Sequence, residues 1–217
     1  MKVKLIGYTQ PPTEIASLDN LQDIVAYCAR VSNPSNQINS ETSGKLLDYL
    51  IKHKHWSPFE MCSATLEVET TRDIARQFLR HRSFSFQEFS QRYADIRAFD
   101  NSFVIREARL QDDKNRQNSV TNKNKKLSME WDAKQNKVIK EAKAAYDWAI
   151  KNGIAKEQAR VVLPEGNTVS RLYVNGTIRS WIHYIELRSA NGTQLEHMEL
   201  AREVGQTIAK IFPYFAK

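Results

Sequence analysis

The glycines constrain this chain most. All seven, at positions 7, 44, 153, 166, 176, 192 and 205, are isolated. The chain therefore has neither the G-x-G-x-x-G turn that seats a dinucleotide on a Rossmann helix nor a phosphate-cradling P-loop. Any nucleotide it binds must be held by side chains. Hydrophobic periodicity agrees with a fold outside the doubly wound class. Val3 and Leu5 alternate with lysines, and Ala64, Leu66 and Val68 alternate with Thr65, Glu67 and Glu69, which predicts two half-buried strands. Elsewhere the spacing changes to three and four. Leu21, Ile24, Val25 and Cys28 share one helical face over 19–31, and Leu46, Leu47, Leu50 and Ile51 share another over 43–52. Thr70 or Thr71 caps a short helix that ends near Arg80. Over 130–152, Trp131, Val138, Ile139, Ala142, Ala145, Tyr146, Ala149 and Ile150 predict the longest helix with these residues inward, and Gly153 caps its C-terminus. A strand over 168–174, a turn at Asn175-Gly176 and a helix over 177–188 with Ile178, Trp181, Ile182 and Ile185 inward follow. Asn191-Gly192 breaks the chain before a last helix over 194–212. Separated strands and long helices without regular βαβ alternation predict an α+β fold, not Rossmann-like, in a single domain over 1–217.

A chain of 217 residues can bury the core of one domain. No apolar run approaches the twenty or so residues of a membrane span, and the N-terminus lacks the apolar stretch and cleavage site of a signal peptide. Cys28 and Cys62 match no zinc or redox spacing, as expected of a cytoplasmic protein. His53 and His55 form a His-x-His pair but lack a third ligand at a clear spacing, so no metal is expected. The net charge of +7 raises nucleic acid as a partner. Much of the excess lies in 106–143, which carries eleven Lys or Arg against six Asp or Glu. Within it, 112–128 is so poor in apolar residues that it reads as a solvated, mobile excursion.

Residues 80–93 carry the chemistry. Arg80, Arg82 and Arg92 lie with His81, three serines and the single carboxylate Glu88 among Phe84, Phe86, Phe89 and Tyr93. Guanidiniums this close repel one another unless they share an anion, and each offers a fork of donors matched to phosphate or carboxylate. Ser85, Ser90 and Glu88 add hydroxyl donors and an acceptor, which suits a nucleotide better than bare pyrophosphate. The segment begins where a helix stops and has little helical periodicity, so a loop or extended ribbon is expected. A competing reading is a single-stranded nucleic-acid-binding groove, with Phe84, Phe86 and Phe89 as stacking platforms for bases.

The pattern Arg-His-Arg, two residues, Ser, four residues, Ser, one residue, Arg resembles the signature of the flavin-dependent thymidylate synthases. The resemblance extends to His55 with Ser57-Pro58-Phe59-Glu60, to Ala75-Arg76-Gln77, to 159–164, and to Leu187-Arg188 followed by Gln194 and Glu196, so it spans about 20–212. It implies an enzyme that methylates dUMP to dTMP. The one-carbon unit comes from methylenetetrahydrofolate, the reducing hydride comes from NADPH through tightly bound FAD, and tetrahydrofolate is released. It also implies a homotetramer with active sites at subunit interfaces and no nucleic-acid or membrane partner. An extended Arg80-His81-Arg82 would point successive side chains to opposite sides and could serve two neighbouring pockets. By this resemblance dUMP is bound by Gln77, Arg80, Glu88, Phe89, Ser90, Gln91, Arg92, Arg160 and Arg188. FAD is bound by His55, Ser57, Arg80, His81, Arg82, Glu88, Thr177, Arg179 and His183. Arg188 is the expected catalytic residue, its guanidinium facing the O2 and N3 edge of uracil, favouring the ionised ring and stabilising negative charge during attack at C5. A plain helix-end arginine that neutralises the dipole is the alternative for that position. With a hydride available, no cysteine need attack the ring. Two positions depart from the family pattern: Gly192 stands where many members have histidine, and His183 where many have asparagine.

Overall fold

The computed structural model describes residues 1–216. Strand β1 (Lys2–Tyr8) is followed by helices α1 (Leu21–Ala29) and α2 (Ser43–Lys52), and the chain returns along β2 (Ser63–Thr71). Helix α3 (Arg72–Phe78) follows directly, and β3 (Phe84–Glu88) comes after a turn. A hairpin of β4 (Arg109–Gln111) and β5 (Ser119–Thr121) leads into α4 (Lys125–Lys151), the short α5 (Lys156–Ala159), β6 (Val169–Thr177), α6 (Ile178–Ser189) and α7 (Leu195–Ala209). The main sheet is wholly antiparallel in the order β1-β2-β6-β3. The fold is therefore α+β, with none of the parallel crossovers of a Rossmann domain.

Strict alternation gives this sheet two unlike faces. Ala64, Leu66, Val68, Leu172 and Val174 are fully buried against Val25, Leu47, Trp181, Ile182, Leu200 and Val204 of the helices. Trp181 also donates its indole N–H to the Ala64 carbonyl at 3.2 Å, which ties α6 to β2. The opposite face is polar. Glu69 pairs with Lys2 and Arg171 from the two flanking strands, and Glu67 pairs with Lys4 and the Tyr173 hydroxyl.

Four features differ from the sequence reading. Asn175-Gly176 is not a turn: both residues lie within β6, opposite Thr65 and Ala64 on one side and Ser85 and Phe84 on the other. Glycine is needed at 176 because the Phe84 ring crosses it; an added Cβ would lie 2.3 Å from a ring carbon. The 112–128 stretch is largely exposed, as expected of a solvated segment, but it carries regular structure. It makes the turn and second strand of the β4–β5 hairpin and the first turn of α4, organised by Asp112, whose carboxylate accepts from the backbone of Lys114 and Asn115 and from the Asn118 amide. Helix α4 starts five residues earlier than predicted, at an Asn124 cap that accepts from the Leu127 N–H. Its buried residues are Gln135, Ala142, Tyr146 and Ala149, whereas Trp131, Val138 and Ala145 are exposed, because the chain covers only one side of the helix. Finally, 80–83 is a turn rather than extended chain, closed by the His81 N–H to the Phe78 carbonyl and the Phe84 N–H to the His81 carbonyl.

Candidate active site

The turn after α3 sends Arg80 and Arg82 outward and His81 inward, so alternation of sides is achieved without an extended backbone. Ser180 holds the turn by donating its hydroxyl to the Ser83 carbonyl at 3.2 Å. Thr177 caps α6 by accepting the Ser180 N–H. The imidazole of His81 packs edge-on to Tyr184, and Arg188, in the last turn of α6, donates Nε–H to His81 Nε2 at 2.9 Å. Burial first, and the neighbouring guanidinium second, push the His81 pKa down to about 4. At neutral pH the ring is therefore uncharged, with Nε2 as acceptor and its proton on Nδ1. Among the described residues the terminal amino edge of Arg188 has no protein acceptor, so it is free to meet a ligand. Its place at a helix C-terminus also complements the dipole.

Behind this pair runs a polarised chain of amides. Glu196 is held by Arg109 at 2.6 Å and Arg106 at 3.2 Å. Burial alone would raise its carboxyl, but hydrogen bonds from its own backbone N–H and Gln194, together with the two arginines, hold it below the ordinary range. An ionised carboxylate only accepts, so the Gln194 amide must turn its NH2 to Glu196, at 2.9 Å, and its oxygen to Gln77, at 2.7 Å. The oxygen of Gln77 then faces Nδ1 of the fully buried His197, at 3.1 Å. His197, its pKa pushed down to about 3 chiefly by burial, is neutral and donates from Nδ1. Arg106 also reaches Thr71 and Asp73 at the start of α3. Sequence reasoning placed Arg106 and Arg109 at the edge of a solvated stretch and gave His197 no part. The signal in reach was Gln194 and Glu196 following Arg188.

Residues 88–92 and Arg160 form a second group. Glu88 accepts from the Ser170 hydroxyl at 2.9 Å and lies 3.5 Å from Arg72. Phe89 packs edge-on to Phe99 at 4.7 Å between ring centroids. Ser90 closes the following turn through its carbonyl, which accepts the N–H groups of Tyr93 and Ala94. Arg92 is exposed, its guanidinium over the Tyr93 ring. Gln91 is buried in the wall of a hollow of about 380 Å³ lined also by Arg72, Arg76, Arg160 and Glu165.

A third group lies at the start of α6. Arg179 donates to Glu60 at 2.6 Å, and His183 packs edge-on to Trp56 at 4.5 Å. Ser57 opens a 3-10 turn (Ser57–Glu60), and exposed His55 stands nearby against Tyr49. The predicted site residues thus fall into three groups rather than one cavity. A hollow of about 500 Å³ among Lys2, Lys4, Glu69, Arg106 and Glu196 contains none of them.

The phenylalanines do not form a base-stacking surface, since Phe84 is 8% exposed beside Trp181, Phe86 packs on the core and Phe89 lies on Phe99. Neither cysteine is poised as a nucleophile. Cys62 is buried with its pKa pushed up to about 12, and burial raises that of Cys28. Among the described residues no helix is long and apolar enough to cross a membrane.

An α+β frame that presents arginines, serines and a histidine–arginine pair in three separate groups, with no glycine-rich loop, has the donor set of a nucleotide-handling enzyme. The family described as "Thymidylate synthase complementing protein" matches residues 14–214. The chain is 48% identical over its whole length to a probable flavin-dependent thymidylate synthase of Paramecium bursaria Chlorella virus 1, covering 98% of that protein. It is 44% identical, again over its whole length and 98% of the relative, to the flavin-dependent thymidylate synthase of Synechocystis. A solved structure of the UMP/dUMP methylase PolB from Streptomyces cacaoi, bound with 5-Br dUMP, superposes with a TM-score of 0.78 at 26% identity, covering 97% of this chain and 90% of that one. The chain belongs to the flavin-dependent thymidylate synthase family.

Proposed function

We propose that the protein methylates dUMP to dTMP, with methylenetetrahydrofolate as one-carbon donor and NADPH, through FAD, as the source of the hydride. The observation that carries this reading is the Arg188–His81 hydrogen bond, which joins the signature imidazole to an arginine 107 positions away and leaves the guanidinium edge open. That edge matches the O2 and N3 side of a uracil ring, where positive charge favours the ionised, electron-rich ring that reacts at C5. His81, uncharged, orients the guanidinium without competing for the nucleotide. Arg92, Arg160, Ser90 and Gln91 take the nucleotide's phosphate and sugar side in this reading, with Arg80 and Gln77 beside Arg188.

The residues of the third group fit FAD. The outward guanidiniums of Arg80 and Arg82, with Arg179 and the Ser57 hydroxyl, supply donors for two phosphates, while the rings of His55 and His183 offer flat surfaces. Bound FAD, once reduced, supplies a hydride. We assign the active unit to a homotetramer. Leu127, Trp131, Val138, Ala145 and Trp148 form an exposed stripe along α4, and the nucleotide groups are split over the surface of one chain. Neighbouring copies would cover the first and join the second. The test is direct: the purified protein is titrated with FAD and assayed for dTMP with dUMP, methylenetetrahydrofolate and NADPH. Flavin absorbance and dTMP formation are expected, and a protein that gains no flavin signal sinks the proposal.

A further inference from the structure

Two arginines facing the hollow at Gln91 have no task in the reading above. Arg72 and Arg76 lie one turn apart on α3. Arg76 is occupied by a carboxylate of the protein itself: Nε lies 2.8 and 2.9 Å from the two oxygens of Glu165, and Nη2 lies 2.6 Å from one of them. This is the bidentate geometry in which a guanidinium also takes phosphate. Glu165 is placed there by its backbone, whose carbonyl accepts the Asp73 N–H at the start of α3. Across the hollow, Arg160 donates Nε–H to the Glu157 carbonyl at 3.3 Å. Among the described residues its terminal amino groups have no protein acceptor.

A second, independent feature points to a ligand. Gln91 is 3% exposed, lines the same hollow, and its amide NH2 is buried without a partner. Buried donors are almost always satisfied, so an orphaned one in the wall of a cavity is a donor still in want of an acceptor. Three guanidiniums and this amide surround a space of about 380 Å³. The Arg76–Glu165 pair has side chains 55% and 47% exposed, and pairs that wet hold only weakly.

We propose that Glu165 is a built-in stand-in for the substrate's phosphate: it occupies the Arg76 fork in the free enzyme and is displaced when the phosphate of dUMP binds Arg76, Arg72 and Arg160. This deepens the dUMP reading and rests on it. A dianionic phosphate outcompetes a single carboxylate for the fork, whereas a nucleoside without phosphate brings nothing to displace it. Glu165 therefore sets a threshold that favours the monophosphate.

Dissociation constants for dUMP, and for inorganic phosphate competing with it, are measured on the full-length protein loaded with FAD. Glu165→Gln is expected to tighten both ligands about fivefold, while Glu157→Gln, which removes the same charge from the same hollow without touching Arg76, changes them less than about twofold. Arg76→Ala is expected to weaken dUMP at least about tenfold and Arg76→Lys by less. Equal effects of the two Glu→Gln changes, or dUMP binding unaltered by any variant, overturn the stand-in while leaving the dUMP reading intact. If neither the parent nor Glu165→Gln binds dUMP, that reading falls and the stand-in falls with it. Glu165 and Arg76 are both surface residues, and matched thermal melts confirm that each variant is folded.

Discussion

His81 and His197 lie 6.3 Å apart between ring centroids, and both are kept neutral by burial and by Arg188. Their pKa values lie below the ordinary 6.5, so the unfolded chain binds protons that the folded one refuses. Above pH 6.5 neither state is protonated and there is no penalty. As pH falls below 6.5 the penalty grows, and it stops growing only near pH 3 for His197. In that window fully buried His197 alone contributes a slope of about 1.4 kcal/mol per pH unit, with stability falling on acidification. His197→Gln should flatten the dependence of the urea midpoint on pH between 3 and 6.5, and an unchanged slope would show that His197 takes up its proton in the native state. Arg188→Lys tests the neighbouring pair: a lysine keeps the charge but loses the planar fork, so turnover should fall by about a hundredfold while FAD affinity changes little. Equal losses in both would make Arg188 a structural residue. The sequence pointed to Arg188 through its resemblance to the family, and to the arginine signature through its density of guanidiniums as well. It did not disclose His197, since a lone histidine on an amphipathic helix has no local pattern that separates a positioning group from core.

At the scale of elements, periodicity gave β1, β2, β6 and most helix boundaries but not the hairpin strands β4 and β5, and α2 coincides with the predicted 43–52. It failed at Gly176 for a definite reason. Asn-Gly is the strongest short turn signal when only neighbours along the chain are considered, but this glycine answers to Phe84 on the adjacent strand, which is remote in sequence. That packing is consequential because Phe84 starts the strand that delivers Glu88 to Arg92. Gly176→Ala should destabilise the fold by about 1–3 kcal/mol through overpacking. Phe84→Leu in the same chain should recover part of the loss, as a double-mutant cycle in urea unfolding would reveal. Strictly additive effects would mean that the ring simply swings away.

For the whole molecule, α4 shows the limit of a single chain read alone. Its apolar residues at spacings of three and four were legible, but periodicity reports that a face is apolar and not what covers it. The chain buries Tyr146 and Ala149 and leaves Trp131, Val138 and Trp148 outside. The same applies to the candidate site, whose residues were nominated by resemblance while their division into separate groups on one chain was not legible. If neighbouring subunits complete each site, one contributing Arg188 with Gln77 and the other Arg92 with Arg160, two dead variants can repair each other. Arg188→Ala and Arg92→Ala proteins, each inactive in a dTMP assay, would be unfolded together, refolded and assayed as mixed oligomers. Random assembly places both intact halves at about a quarter of the sites, so activity should return to about that fraction of the parent for any site built from two chains of a symmetric oligomer. Recovery should vanish when one chain carries both substitutions and the other carries either, because no site can then be whole. Mixed oligomers that form, as shown by differential tagging, yet remain inactive would place Arg188 and Arg92 of one chain in the same site and rule out the shared arrangement.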